Sequence, residues 1–339
     1  MSQSRRGSVT RAGIVLSLLA TLCLGSQAAQ AQKFCLFDPM GSAGDAFAAA
    51  KDYALTAKRW GVELELKAYT DEGVGVEDFK AGQCDMMLMT GLRARQFNQF
   101  SGTIDAVGAI ENYSQMHNLM EIVASPKIDK YMAAGQYEVV GIVPLGAGYA
   151  FVNDRGINQL AKAAGKKIGI FGWDKTQAML VQQIGAQAVS ADITTFGGKF
   201  NNGSVDIIVA PAILYKPFEL YKGLGTKGGI DRFPIIQLTA QMLIHRDKFP
   251  ADYGQKSREY TARQVDRAFG TIRNQENQID PKFWIYVQRS EREGYTRIMR
   301  DARVRLAKDG FYDKRMLGIM KRVRCKSEPD DAECSESEE

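Results

Sequence analysis

Apolar segments of strand length alternate with helical patterns along the first third of the chain. Strands are predicted over 33–38, 62–69 and 84–90, and helices occupy the intervals between them, the first beginning at Asp45. Strands that alternate with helices predict a mainly parallel sheet with helices on both faces. The chain is therefore predicted to be an α/β protein.

The same cycle restarts further along the chain. Strands are predicted at 167–171, 186–189 and 206–211, with helices at 176–184 and 192–200 between them. A second α/β unit of this kind predicts a second lobe.

One short pattern occurs once in each of these two regions. The segments 79–85 and 200–206 both read Phe-x-x-Gly-x-x-Asp, and each leads into four mostly bulky apolar residues. The pattern indicates a helix that ends at a glycine and is followed by a buried strand. Any helix–glycine–strand junction can have this form, but its use in both halves favours a two-lobed protein that closes on a ligand.

The two cycles divide the chain into parts of ordinary domain size. Lobe 1 is predicted over 32–148 and lobe 2 over 149–240. Residues 241–326 are predicted to return to lobe 1 and to form C-terminal helices, and 327–339 to form an acidic flexible tail. The crossing into lobe 2 is predicted at 146–148, where Gly-Ala-Gly interrupts two apolar strands.

The N-terminal segment 1–31 has the pattern of a cleaved signal peptide. Three arginines precede an apolar stretch at 12–24, and residues 29–31 read Ala-Gln-Ala, which fits an A-x-A cleavage site. The apolar stretch is shorter than the roughly 20 residues of a transmembrane helix. Cleavage after Ala31 is therefore predicted to release an exported protein without a transmembrane span.

The charge balance argues against two classes of partner. The chain has 44 Lys+Arg and 39 Asp+Glu, a net charge of +5, and loss of three signal arginines leaves 41 minus 39, or +2. A nearly neutral mature protein gives no basis for binding nucleic acid or an anionic membrane surface.

Four cysteines remain after the signal is removed: Cys35, Cys84, Cys325 and Cys334. An even number in an exported protein predicts disulfides, with three possible pairings. Because Cys35 and Cys84 lie in predicted strands of one lobe and the other two flank a short acidic loop, the pairs Cys35–Cys84 and Cys325–Cys334 are predicted. The spacings match no standard zinc pattern, and no metal site is predicted.

Ligands of open α/β sheets bind beyond the carboxyl ends of the strands. The loops at those ends supply the predicted ligand-binding residues: Asp38, Asp45, Tyr69, Asp71, Thr90, Arg93, Trp173, Asp174, Gln177, Pro211 and Tyr215. Aromatic faces together with carboxylates are suited to holding an amine, so a small polar ligand is predicted, with a cation favoured.

A purely structural interpretation of the same residues is also open. Asp38 and Asp45 are suited to turns and helix starts, and Trp173 to packing between the lobes. Because Arg93 and Arg95 are basic, an anionic ligand remains an alternative.

The chain contains none of the common catalytic motifs, among them G-x-S-x-G, H-E-x-x-H and the Walker loop. No catalytic residue and no cofactor are therefore predicted. A periplasmic hydrolase, or an accessory protein of an efflux or envelope complex, is the alternative function.

Several segments of the chain resemble those of a known group of proteins. They are 35–39 with Gly41 and 44–45, 165–169, 185–186, 199–203 with Asp206, and 249–250. The chain resembles the extracytoplasmic receptors of tripartite ATP-independent (TRAP) transporters. It is more similar to a solute-binding family whose members are sometimes labelled as an RND-type efflux pump involved in aminoglycoside resistance.

The resemblance implies a two-lobed periplasmic binding protein fold and capture of a small molecule by hinge closure for a membrane transporter. One difference bears on the ligand. TRAP receptors for organic acids usually carry an arginine just after this type of strand entry, which pairs with the ligand carboxylate. The segment 167–171 and its surroundings contain none.

Overall fold

The computed structural model describes residues 31–336, so the predicted signal peptide lies outside the described residues except for Ala31. The strands are β1 Gln32–Phe37, β2 Leu64–Tyr69, β3 Met86–Thr90, β4 Ala133–Ala134, β5 Tyr137–Val152, β6 Lys167–Phe171, β7 Gln187–Ala191, β8 Ile207–Pro211, β9 Gly229–Asp231, β10 Ile236–His245 and β11 Trp284–Ile285. None of the helices in the described part of the chain is long and apolar enough to span a membrane.

The helices are more numerous and several are short. They are α1 Asp45–Arg59, α2 Glu72–Lys80, α3 Gly91–Ala94, α4 Gln99–Gly102, α5 Tyr113–Ala124, α6 Asp129–Met132, α7 Leu160–Ala163, α8 Lys175–Gln183, α9 Ile193–Asn201, α10 Tyr221–Leu224, α11 Tyr253–Arg263, α12 Val265–Asn277, α13 Arg289–Lys308 and α14 Lys314–Ser327. The helical C-terminal region predicted from the sequence is thus α11 to α14.

One mixed sheet runs through both lobes, in the order β2-β1-β3-β10-β5-β8-β6-β7. The three outer strands are parallel in each lobe, β1 to β3 in lobe 1 and β6 to β8 in lobe 2. The two long strands β5 and β10 are antiparallel to their neighbours. The sheet is therefore less parallel than the sequence predicted, because two strands return through its centre.

The repeated Phe-x-x-Gly-x-x-Asp pattern has the same structural role in both lobes. Its phenylalanines, Phe79 and Phe200, are fully buried. Each of its final aspartates accepts a hydrogen bond from a backbone N–H near the start of a neighbouring strand: Asp85 Oδ2 from Lys33 N at 2.8 Å and Asp206 Oδ2 from Lys167 N at 2.9 Å. The pattern therefore marks one α/β unit used twice.

The predicted break between the lobes does not interrupt a strand. Residues 139–145 and 149–152 belong to the single strand β5, and the pairing with β10 shifts register between Leu238 and Thr239. Leu238 pairs with Gly146 while Thr239 pairs with Pro144, so one extra residue is accommodated as a bulge. Gly146 adopts φ +102°, which favours glycine, and this lets the strand cross between the lobes without ending.

Apolar side chains cover both faces of the sheet. In lobe 1 one face buries Phe79, Met87 and Leu119, and the other buries Leu36 and Tyr53. In lobe 2 the corresponding core includes Phe151, Phe196, Phe200 and Ile208. Each lobe thus has its own core, and the strand ends between them are left to form a cleft.

Part of the acidic tail packs against the C-terminal helices. Residues Ala332–Ser335 form a short 3-10 helix, and Glu333 is buried against Arg303 of α13 and Arg324 of α14. The two guanidinium groups share this carboxylate, which explains why the tail does not extend into solvent. The last three residues lie outside the described part.

Both predicted disulfides are present in the structure. Cys35 and Cys84 are bonded with their Cα atoms 5.8 Å apart, and Cys325 and Cys334 with theirs 5.6 Å apart. The first joins β1 to the segment before β3 within the lobe 1 core, and the second ties the tail to α14.

Replacing Cys35 and Cys84 together by alanine is expected to lower the free energy of unfolding by about 4 kcal/mol. The bond closes a loop across a sequence separation of 49 residues, and its loss frees the unfolded chain. Urea unfolding of the oxidised wild type and the double variant measures the difference. A loss under about 1 kcal/mol would contradict this role of the bond.

Candidate functional site

A cavity of about 390 Å³ lies between the lobes, at the carboxyl ends of β1, β3, β6 and β8. Most side chains around it are apolar and come from both lobes. They include Phe37, Leu88, Met89, Leu92, Val107, Ile168, Ile170, Leu180, Ile213, Leu238 and Met299. A volume of this size, lined mainly by apolar groups, is typical of small-molecule sites.

The charged residues around the cavity are all acidic. Five aspartates line it, Asp38, Asp45, Asp105, Asp174 and Asp231, and none of the described lining residues is Lys, Arg or His. The described residues also contain no cluster of His, Cys, Asp and Glu suited to a metal ion. The ionisable groups that line the cavity are therefore acidic in character.

Six of the eleven predicted site residues lie around this cavity: Asp38, Asp45, Thr90, Asp174, Gln177 and Pro211. The other five are Tyr69, Asp71, Arg93, Trp173 and Tyr215. Contact of any of these residues with a ligand stays a prediction.

Asp38 stabilises the turn before α1. Its carboxylate accepts hydrogen bonds from Met40 N at 2.9 Å and from Phe47 N at 3.1 Å. A Cβ on Gly44 would lie 1.9 Å from the Asp38 carboxylate, so the close approach requires glycine. Both carboxylate oxygens of Asp38 therefore accept backbone hydrogen bonds, as expected for a residue that stabilises a turn.

Three predicted residues serve the fold away from the cavity. The Tyr69 hydroxyl donates to Asp78 at 2.5 Å, and Asp71 caps α2 by accepting from Gly73 N and Val74 N. Tyr215 packs into the lobe 2 core beside Phe151, with ring centroids 6.4 Å apart. Each of them lies near a strand end, but none of them lines the cavity.

Two arginines of lobe 1 contact the loop that follows β6 in lobe 2. The Arg93 guanidinium lies 3.8 Å from the ring centroid of Trp173, and Arg95 Nη2 lies 3.1 Å from Asp174 Oδ2. We call these four residues the interlobe contact. Cation–π and ionic interactions of this kind hold the lobes together at the cavity rim.

Buried carboxylates orient the interlobe contact. Glu72 Oε1 accepts from Thr90 N at 2.6 Å, and its other oxygen lies 3.6 Å from Arg93 Nε. Asp174 Oδ1 accepts from the backbone and hydroxyl of Thr176 at 3.0 and 2.6 Å. Trp173 therefore packs between the lobes, as the structural interpretation of the sequence has it.

Asp105 is a cavity residue that the sequence analysis missed. It is almost fully buried, and it accepts from Thr239 N at 3.1 Å and from Thr239 Oγ1 at 2.6 Å. Burial raises the pKa of Asp105 to about 7, although the hydrogen bonds from Thr239 and the nearby Arg95 charge oppose the rise. Asp105 does not belong to any of the loops at the predicted strand ends. It reaches the cavity because it is hydrogen-bonded to Thr239, beside the bulge of β10.

Asp231 is a second missed residue. It ends β9, a strand of three residues in a segment without a clear pattern, and only 5% of its surface is exposed. Burial raises the pKa of Asp231 to about 7. The only signal in the sequence was an acidic residue in a segment without a clear pattern.

The raised pKa of Asp105 predicts a pH-dependent contribution to stability. Between about pH 4 and 7 the folded protein keeps the Asp105 proton that the unfolded chain releases, so this residue destabilises the fold as pH rises through that window. In the Asp105→Asn variant this contribution is absent. The unfolding free energy of wild type relative to the variant is expected to fall between pH 4 and 7, as measured by urea titration. A difference independent of pH would contradict the assignment.

The sequence matches a family model described as "Solute-binding protein AdeT 1/2" over residues 54–339. A curated protein of Acinetobacter baumannii, "Probable solute-binding protein AdeT1", is 51% identical over 304 residues, covering 90% of this chain and all of that protein. "Probable solute-binding protein AdeT2" of the same organism is 27% identical over 233 residues, covering 69% of this chain and 98% of that protein. These matches confirm the predicted solute-binding class.

Solved structures with the same fold come from TRAP periplasmic solute-binding proteins. One from Desulfovibrio salexigens with bound orotic acid has a TM-score of 0.71 at 12% identity, and the match covers 87% of this chain and 98% of that one. One from Rhodoferax ferrireducens with bound malonate has a TM-score of 0.70 at 13% identity, covering 88% and 100%. At such low identity these similarities confirm the two-lobed fold alone.

Proposed function

Because this chain belongs to the AdeT 1/2 family of solute-binding proteins, we propose that its interlobe cavity captures a small molecule with an apolar body and a cationic group. The protein is a binding protein and not an enzyme. The cavity chemistry therefore has to explain recognition rather than catalysis.

The observation that carries this proposal is the pairing of an apolar wall with acidic charge. Five aspartates line the cavity, and among the described lining residues there is no basic side chain. An apolar body gains from burial at roughly 25 cal/mol per Å², and a cation is attracted by carboxylates in surroundings that screen charge weakly. The sequence predicted a polar ligand. The apolar wall of the cavity restricts this class to ligands whose polar group is attached to an apolar body.

An organic acid is a poorer fit to this cavity. The structural relatives described above contain orotic acid and malonate, and carboxylates of that kind are well matched by an arginine fork. Here Arg95 is engaged by Asp174 at 3.1 Å, and a bound carboxylate would enter a cavity lined by five carboxyl groups. Like charges at short range oppose such binding.

The cellular setting follows from the export signal and the family. We infer that residues 1–31 direct the chain to the periplasm and are removed, and that the mature protein delivers its ligand to a membrane transporter. The continuous strands β5 and β10 join the lobes and provide the hinge for closure.

Isothermal titration with four probes tests the ligand class. The probes are 4-phenylbutylamine (apolar cation), 4-phenylbutanoate (apolar anion), spermidine (polar cation) and succinate (polar anion), each added to the mature protein from residue 32. The apolar cation is expected to bind at least about 10-fold more tightly than the other three, which corresponds to 1.4 kcal/mol. Tighter binding of succinate or 4-phenylbutanoate would overturn the proposal.

A further inference from the structure

The five cavity aspartates differ in whether protein groups already occupy their oxygens. Asp38 accepts two backbone N–H groups, and Asp105 accepts the N–H and hydroxyl of Thr239. Asp174 is held by Arg95 and Thr176. These three carboxylates are committed to the fold or to the interlobe contact.

The remaining two aspartates are Asp45 and Asp231. Asp45 is exposed at the first position of α1. Asp231 is 95% buried, and its Oδ1 has no hydrogen-bond partner among the described residues. A buried carboxylate oxygen without a partner is costly, so a donor supplied by a ligand would be favourable there.

No described basic group beside Asp231 compensates the charge that it carries when it is ionised. Arg232, the next residue, turns away: its Nη1 donates to the Tyr286 hydroxyl at 3.0 Å and its guanidinium lies over Trp284. Strand β11 beside β9 contributes Ile285, and β5 contributes Phe151 and Val152. From α13, Tyr295 lines the same cavity, and burial, followed by the Asp231 charge, raises the pKa of its hydroxyl.

We propose that Asp231 is the specificity-determining residue of the cavity and that its carboxylate receives the cationic nitrogen of the ligand. Tyr295 flanks this nitrogen from α13, and the apolar body occupies the cavity towards Ile235 and Met299. The inference rests on the proposed function. It adds the identity of the one carboxylate, among the five, that selects a cationic ligand.

The test compares two ligands that differ only in charge, 4-phenylbutylamine and 4-phenylbutanol, on three proteins. The Asp231→Asn variant keeps the shape and removes the charge. Asp301→Asn makes the same change at an exposed position of α13 and serves as the matched control. The Asp231→Asn variant is expected to lose affinity for the amine by about 10- to 100-fold, as for a charged hydrogen bond, and to keep its affinity for the alcohol.

The outcomes separate the inference from the proposed function. If wild type prefers the amine and Asp231→Asn keeps that preference, Asp231 is not the selecting residue although the ligand class stands. If wild type itself does not prefer the amine over the alcohol, the ligand class is wrong. Equal loss of both ligands would also overturn the inference, since it indicates a change of shape rather than of charge.

A second variant covers the case in which Asp231→Asn does not fold. Asp231→Glu keeps the charge and is expected to keep the preference for the amine, whereas loss of the preference in a folded Asp231→Glu variant would contradict recognition by charge. Circular dichroism at 25 °C establishes that each variant is folded before titration.

Discussion

Replacing Arg95 by methionine is expected to weaken ligand binding at least about 30-fold. Arg95 is nearly buried and pairs with Asp174 across the cleft, so its removal leaves a buried carboxylate without this cation in the closed protein. Losing one partner of a buried, hydrogen-bonded charge pair costs about 2 to 5 kcal/mol. In an opened cleft, water can solvate Asp174. The loss of Arg95 therefore makes closure of the cleft less favourable, and ligand affinity falls because binding requires closure.

Titration of the ligand identified by the four-probe panel measures this loss. Arg59→Met, at the exposed end of α1, is the matched control and should bind as wild type does. An additional measurement of the distance between spin labels on the two lobes should show a larger open population for Arg95→Met. Unchanged affinity with an unchanged distance would show that the interlobe contact does not support closure.

Replacing Glu333 by alanine is expected to lower the free energy of unfolding by about 3 kcal/mol. The carboxylate lies between two buried guanidinium groups, with its Oε2 3.2 Å from Arg303 Nη2 and its Oε1 bonded to Arg324 Nε. Removing the shared anion breaks one buried ion pair of each guanidinium group, and breaking a buried pair by removing one partner costs about 3 to 5 kcal/mol.

The control for this variant lies in the same tail. Asp330 is exposed, and Asp330→Ala should change the unfolding free energy by less than about 0.5 kcal/mol. Urea unfolding of the three proteins at pH 7 provides the comparison. If Glu333→Ala and Asp330→Ala are equally stable, the Glu333 carboxylate does not contribute to the stability of the fold.

The α/β units were predictable because local patterns determine them. Strands β6 and β8 and the start of α1 follow from apolar runs, glycines and capping residues close in sequence. The Phe-x-x-Gly-x-x-Asp repeat identified the two lobes for the same reason. The continuity of β5 was not predictable, because Gly146 terminates strands in most contexts and only pairing with β10 makes it part of a bulge.

The cavity was predictable only in part. The strand-end rule found Asp38, Thr90 and Asp174, since loops after parallel strands meet at one edge. It missed Asp105 and Asp231, which reach the cavity through long-range packing of β9 and β10. The rule also predicted Tyr69 and Tyr215 as site residues. Their rings are buried in the lobe cores and do not line the cavity.

Native mass spectrometry of the protein, purified from its own cells without added ligand, tests the account most directly. Because the cavity combines an apolar wall with acidic groups, the protein is predicted to retain a small molecule that contains a basic nitrogen and an apolar body. Retention of a dicarboxylate or a sugar acid without a basic nitrogen would contradict the account.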